Sequence, residues 1–258
     1  MNALLGLPTN LRERLASALR TGVLGPPYSS VALRAALGDS TSRPGVREAL
    51  QELHEMGVSG SAAAAWIKAA SDAIEARAVP QLVWTGPEVR GLHARDTRRV
   101  FEEMLGSATQ SIWASTYAYF DGPRAFQTLA AQMDACPTLE VHLLVNIGRK
   151  HRDTRARDEL VTEFASRFWK RDWPGDRRPR VFFDPRGLED GEAKSVLHAK
   201  AIVQDERVVL VTSANFTEAA LDRNIELGLR VEDPSLALQI IRHYERLIEA
   251  ALLAPLPE

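Results

Sequence analysis

The stretch Leu197–Gly228, LHAKAIVQDERVVLVTSANFTEAALDRNIELG, holds the densest group of side chains able to do chemistry. His198 and Lys200 are one residue apart, so on an extended strand both leave the same face. Ser213 and Asn215 repeat that spacing at the end of the next apolar run, and the polar Gln204-Asp205-Glu206-Arg207 separates the two runs. A hairpin turning at Asp205/Glu206 sets residue 198 opposite about residue 213. It gathers His198, Lys200, Ser213 and Asn215 at one end of one ribbon. An imidazole, an ammonium, a hydroxyl and an amide are groups that grip and attack a phosphate diester. The ammonium and amide neutralise phosphoryl oxygens, and the imidazole attacks phosphorus.

Strands and helices must carry these groups. From Pro80 onward short apolar runs alternate with amphipathic stretches. Strands are expected over 81–85, 111–117, 139–145, 180–184, 196–203, 208–213 and 226–231. Helices are expected over 96–106, 123–133, 154–170 and 235–252. Such alternation argues an α/β domain whose sheet is covered on both faces. The segment Arg149–Arg180 reads as an irregular excursion over the sheet, with eleven basic residues against six acidic. Before it, residues 11–19, 31–37, 46–56 and 62–78 space apolar residues three or four apart between Gly and Pro breakers, which reads as a small all-α domain. The expected division is 1–79 for the helical domain and 80–258 for the α/β domain. No helix of the first part presents a dense basic face, so packing or oligomer contact is its expected role.

Composition narrows the class. The chain has 258 residues, 45% of them hydrophobic and 26% charged, which suits a soluble protein with a real core and excludes disordered, collagenous and disulfide-scaffold classes. No apolar run reaches the roughly 18 residues of a membrane span. The opening MNALLGLPTNLRER lacks a basic n-region and a small-residue cleavage site, and Cys136 has no second cysteine to pair with. A cytoplasmic protein without membrane contact is therefore expected. Cys136, His142 and His151 lack metal-ligand spacing. His151-Arg152-Asp153 imitates a kinase catalytic loop without the Gly-rich loop that should precede it.

The order His198-x-Lys200-x4-Asp205-x6-Thr212-Ser213-x-Asn215, with Glu226 eleven residues on, resembles the HKD signature of the phospholipase D superfamily. The family usually has Gly where this chain has Thr212. VWTGP at 83–87, RDTRRV at 95–100, RFWKRDWPG at 167–175 and FDPRGLE at 183–189 resemble, more narrowly, the phospholipase D-like component of DISARM anti-phage systems, the DrmC type. The resemblance implies a phospholipase D-like mixed sheet flanked by helices. It implies a two-step displacement in which His198 forms a phosphohistidine and a second histidine protonates the leaving oxygen. Lys200 and Asn215 would hold the non-bridging oxygens, with Ser213 at the edge of the phosphate site. Glu226 would accept a hydrogen bond from the other ring nitrogen of His198, and Asp205 would be structural.

The motif fixes a reaction type rather than a substrate. A metal-independent nuclease or nucleic-acid phosphodiesterase of a bacterial defence system is the leading reading, with DNA ahead of RNA and other defence proteins as further partners. The alternatives are a phospholipase or phosphatidyl transferase, and a non-catalytic nucleic-acid-binding accessory. The site as read holds no carboxylate cluster for Mg²⁺, so neither metal nor other cofactor is expected. His54, His93, His142, His151 and His243 have no lysine two positions on, so none starts a second motif. A homodimer sharing one active site is the economical source of the second histidine.

Overall fold

The computed structural model describes all residues except 1, 39–44, 76–77, 89, 92, 151–152 and 190–195. Among the described residues the chain divides into two compact units, 1–78 and 79–258. The first is helical: α1 (Asn2–Leu5), α2 (Thr9–Arg20), α3 (Ser30–Leu37), α4 (Val46–Glu55) and α5 (Gly60–Glu75). Helices this short are marginal alone, and they are held by a shared core around Leu15, Leu19, Leu50, Leu53 and Ile67.

The second unit is built on one sheet. Its strands are β1 (Gln81–Thr85), β2 (Arg95–Asp96), β3 (Ser111–Thr116), β4 (Glu140–Val145), β5 (Arg180–Phe183), β6 (Ala201–Gln204), β7 (Val208–Thr212), β8 (Glu226–Glu232) and β9 (Ala254–Pro255). Its helices are α6 (Thr97–Gly106), α7 (Gly122–Ala135), α8 (Arg157–Arg167), α9 (Glu218–Asp222) and α10 (Pro234–Glu249). The sheet order is β2-β1-β8-β7-β6-β3-β4-β5-β9. β3, β4 and β5 run parallel through the crossover helices α7 and α8, whereas β6, β7, β8 and β1 form an antiparallel set. The mixed α/β fold agrees with the sequence. The segment 149–180, however, is an ordinary crossover carrying α8 and a π-helical turn, Phe168–Asp172, rather than an excursion.

Alternate residues of the central strands enter separate cores. Ile112, Ala114 and Leu143 pack with α6, α7 and α8, while Trp113, Leu144 and Val203 pack with α10. Coverage of both faces extends from the parallel half onto β6 and the start of β7, where Val203 and Val209 join the α10 cluster. On the antiparallel half Leu82, Val211, Leu227 and Leu229 stay exposed, and the pairings Leu82↔Leu229 and Val211↔Leu229 put them side by side.

The β6–β7 hairpin differs from expectation by one residue. Asp205 and Glu206 both take positive φ, and Arg207 N–H donates to the Gln204 carbonyl at 3.0 Å, closing the tight turn. Arg207 then stays out of the ladder, which begins at Gln204↔Val208. Its carbonyl accepts instead from Asp233 N–H at 2.9 Å, at the start of α10. The extra residue sets Lys200 against Thr212, whose N–H donates to the Lys200 carbonyl at 3.1 Å. The ladder also starts later than expected, at Ala201, because Leu197 N–H is taken at 3.3 Å by Asn146 Oδ1 beyond the end of β4.

Asp205 ties this turn to β3. Its carboxylate accepts from the backbone N–H groups of Thr109 (3.1 Å), Gln110 (2.7 Å) and Ser111 (3.0 Å), and its own N–H donates to the Ser111 carbonyl at 2.8 Å. Asp205→Ala strands these donors and should cost about 1–3 kcal/mol in urea unfolding, with Asp205→Asn recovering part of the loss.

His142 is sandwiched between Trp113, stacked at 3.9 Å, and Phe182. Burial, with Arg180 nearby, holds its imidazole below the usual range, at about 4. The folded protein thus keeps His142 neutral where the unfolded chain takes up a proton. This contribution to stability is complete above about pH 6.5 and declines toward pH 4, at up to about 1.4 kcal/mol per pH unit. Unfolding curves across that range should show a shallower acid decline for His142→Phe than for the native chain.

Candidate active site

The sheet's connections bring one set of ends together. The C-terminal ends of β1, β3, β4 and β7 meet the N-terminal ends of β6 and β8. Crevices at such strand ends are where α/β sheets take ligands. His198 and Lys200 enter this end from just before β6, Ser213 and Asn215 from just after β7, and Glu226 opens β8.

Lys200 is buried and His198 exposed. The Lys200 ammonium turns back on its own segment, 2.9 Å from the His198 carbonyl and 3.0 Å from His198 Nδ1. The Tyr117 ring lies 4.8 Å from the His198 ring and 5.6 Å from Lys200 Nζ. Burial pushes the Lys200 ammonium below its ordinary range, and the Glu226 carboxylate opposes that. A cation held this way gains from a phosphate oxygen placed within its reach.

Asn215 Oδ1 accepts from Ala118 N–H at 3.2 Å. Because a backbone donor selects the carbonyl oxygen, the amide N–H₂ is the end directed elsewhere. Ser213 Oγ accepts from Leu227 N–H at 3.1 Å and donates to Glu226 Oε2. Glu226 Oε1 accepts from Asn224 Nδ2 at 2.9 Å. The expected Glu226–His198 pair is therefore not made: Glu226 bonds Ser213 and Asn224, and His198 bonds Lys200. Through that bond Asn224 orients the Glu226 carboxylate. Tyr117 stands at the site, whereas Thr85 is buried with its hydroxyl unpartnered.

Thr212 stands where the related motif has Gly. Its cross-strand partner is Gly228, where a Cβ would lie 2.9 Å from Thr212 Cβ and 3.0 Å from its hydroxyl. The missing side chain has moved one strand over. No alternation pattern could reveal this exchange without the register.

The basic segment fares differently from its composition. Arg149 binds the Leu188, Asp153 and Arg155 carbonyls, Arg155 pairs with Asp153 and Glu163, and Arg177 binds the Met133 and Cys136 carbonyls. His151 and Arg152 lie outside the described residues. Among the described residues no group of three His, Cys, Asp or Glu side chains forms a metal site, and no helix is long and apolar enough to cross a membrane.

A family model described as cardiolipin synthase, PLD-like domain, matches residues 101–248, and the chain belongs to this PLD-like family. The fold is similar to a phospholipase D family member, Nuc from Salmonella typhimurium, at 18% identity and TM-score 0.45 over 70% of this chain and 100% of that one. It is similar to NucT from Helicobacter pylori at 16% identity and TM-score 0.45, over 67% and 97%. It is also similar to phosphatidylserine synthase from Haemophilus influenzae Rd KW20 at 17% identity and TM-score 0.43, over 75% and 46%. No curated protein matches the chain.

Gly228→Ala should cost about 1–3 kcal/mol through overpacking against Thr212. The exchange Thr212→Gly with Gly228→Ala should recover part of it, since the Val211 carbonyl 3.0 Å from the new Cβ remains, and a double-mutant cycle by urea unfolding reads the coupling.

Proposed function

We propose that this protein is a metal-independent phosphodiesterase acting on nucleic acid through a phosphohistidine on His198. The observation that carries the reading is the contact between exposed His198 and buried Lys200, at the sheet end that also holds Ser213, Asn215 and Glu226. Family membership supports a phosphodiesterase-type hydrolase. The resemblance to the phospholipase D-like component of DISARM systems supports a place in bacterial anti-phage defence, with other defence proteins as partners.

In the first step a ring nitrogen of His198 attacks phosphorus, the bond to the leaving oxygen breaks, and that oxygen takes a proton from a second imidazole. In the second step that imidazole removes a proton from water, the hydroxide attacks phosphorus, and His198 leaves. Lys200 and the Asn215 N–H₂ group offset the charge on the non-bridging oxygens. Glu226, fixed by Ser213 and Asn224, opposes the effect of burial on the Lys200 ammonium.

The second imidazole comes from a second copy in a two-fold dimer. The exposed Leu227, Leu229, Val211 and Leu82 support this, because the face they form begins beside Ser213, whose N–H donates to the Leu227 carbonyl at 3.0 Å. A second reading, phosphatidyl transfer, is favoured by the description of the matching family model. A substrate panel of labelled DNA and RNA, bis-p-nitrophenyl phosphate and phosphatidylglycerol vesicles separates the two.

Turnover should persist in EDTA, and a loss there that Mg²⁺ or Mn²⁺ reverses defeats the metal-independent step. His198→Ala should abolish turnover while the circular dichroism melting curve is retained. Mixed dimers of native and His198→Ala chains should be essentially inactive, whereas half activity defeats the shared site.

A further inference from the structure

A groove of about 300 Å³ opens beside the catalytic end, lined by Tyr117, Phe120, Asn146, Arg167, Arg171 and Asp172 among others. Tyr117 joins it to the site, since the same ring lies 4.8 Å from that of His198. The groove is a built feature. After α8 the backbone widens into the π-turn Phe168–Asp172, a local form that recurs at functional sites. Its last residue, Asp172, has a side chain only 4% exposed and serves as an anchor. Its carboxylate accepts from Arg167 Nε at 3.1 Å, Arg171 Nε at 3.1 Å and the Tyr119 hydroxyl at 3.0 Å. A Cβ on Gly122 would lie 2.3 Å from Asp172 Cβ, so only glycine lets the start of α7 close on the turn.

Each arginine spends its Nε on Asp172, and Arg167 also reaches the Tyr119 hydroxyl through Nη2 at 3.5 Å. Arg167 is held further by Phe164, over whose ring its guanidinium sits at 4.8 Å. Arg171 is 72% exposed and presents its fork to solvent, a geometry that suits the non-bridging oxygens of a phosphate. Of the rings that line the groove, Phe120 is 73% exposed and Tyr117, beside His198, is 38% exposed. Asp121 also lines the groove, so it is not a uniformly positive funnel. Recognition there must combine one oriented guanidinium with ring stacking, and stacking requires bases that are not already paired.

We propose that this groove is a subsite for a single-stranded polynucleotide, in which Arg171 holds a phosphate next to the scissile one and Phe120 stacks on a base. The proposal rests on the nucleic-acid reading above. The test uses the full chain carrying His198→Ala, with fluorescence anisotropy of a labelled single-stranded oligonucleotide as readout. Arg171→Glu with Phe120→Ala should weaken binding at least about tenfold and flatten its salt dependence. Arg171→Lys with Phe120→Trp should keep most of the affinity, which separates recognition from folding. An unchanged affinity in the Arg171→Glu, Phe120→Ala protein, or equal weakening by both pairs of substitutions, overturns the subsite and leaves the nuclease reading standing. Equal affinity for a duplex of the same sequence overturns the single-strand preference. Failure of the His198→Ala protein to bind any oligonucleotide, with Arg171-dependent binding to phosphatidylglycerol vesicles instead, overturns both. Hydrolysis of bis-p-nitrophenyl phosphate by the native chain tests the phosphodiesterase chemistry independently.

Discussion

Lys200 carries a positive charge into the protein while the histidine two residues earlier stays at the surface. A buried ammonium is stable only where acceptors and a countercharge meet it. The His198 carbonyl and ring nitrogen are those acceptors, and they require the chain to leave the ladder before Ala201 so that the lysine can fold back. Leaving the ladder frees Leu197 N–H, which Asn146 takes up. The countercharge is Glu226, itself fixed by Ser213 and Asn224. One desolvated cation thus accounts for side chains on four strand ends. The same cation, incompletely compensated, is what a phosphate would satisfy.

That arrangement needs a single register of β6 on β7. A slip of one residue moves every side chain to the other face. The register is set at the far end of the hairpin, by the left-handed pair Asp205-Glu206 and by the exclusion of Arg207. Asp205 is held by backbone N–H groups entering β3, and the Arg207 carbonyl by the N–H of Asp233, the residue that caps α10. The turn is therefore locked to the neighbouring strand on one side and to a helix on the other. A motif aspartate with no path to the substrate still decides where the histidine sits.

Much of this was legible in the residues. Period-two and period-3.6 patterns located the strands and helices of the second unit closely, and Asp205-Glu206 announced a turn because Asp tolerates positive φ. The register was not legible, because whether Arg207 joins the ladder depends on Asp233, twenty-six residues away. The partners of Glu226 were not legible either: Ser213 and Asn224 compete with His198 for one carboxylate, and only the packed geometry decides. The roles of the arginines over 149–180 were not legible for a related reason. Arginine caps carbonyls and pairs with local carboxylates as readily as it binds polyanions, so a count of charges says little about a surface.

The sheet divides its labour at the seam between β3 and β6. To one side, parallel strands bring crossover helices and the π-turn over one face, and the groove forms at their ends. To the other side, the antiparallel strands and their flanking residues carry the histidine, lysine and glutamate, and they leave part of one apolar face bare. The seam has a lock of its own. Ser115, fully buried on β3, accepts from Ala201 N–H at 3.1 Å, where β6 begins, and shares a 3.1 Å hydrogen bond with the Tyr244 hydroxyl of α10. A hydroxyl can satisfy both at once, whereas an alanine there would leave two buried groups unmet. Because Ala201 follows Lys200 directly, the lock holds the buried ammonium in step with β3, and through β3 with Tyr117 at the mouth of the groove. One strand pairing thereby ties the His198–Lys200 end of the sheet to the groove beside it.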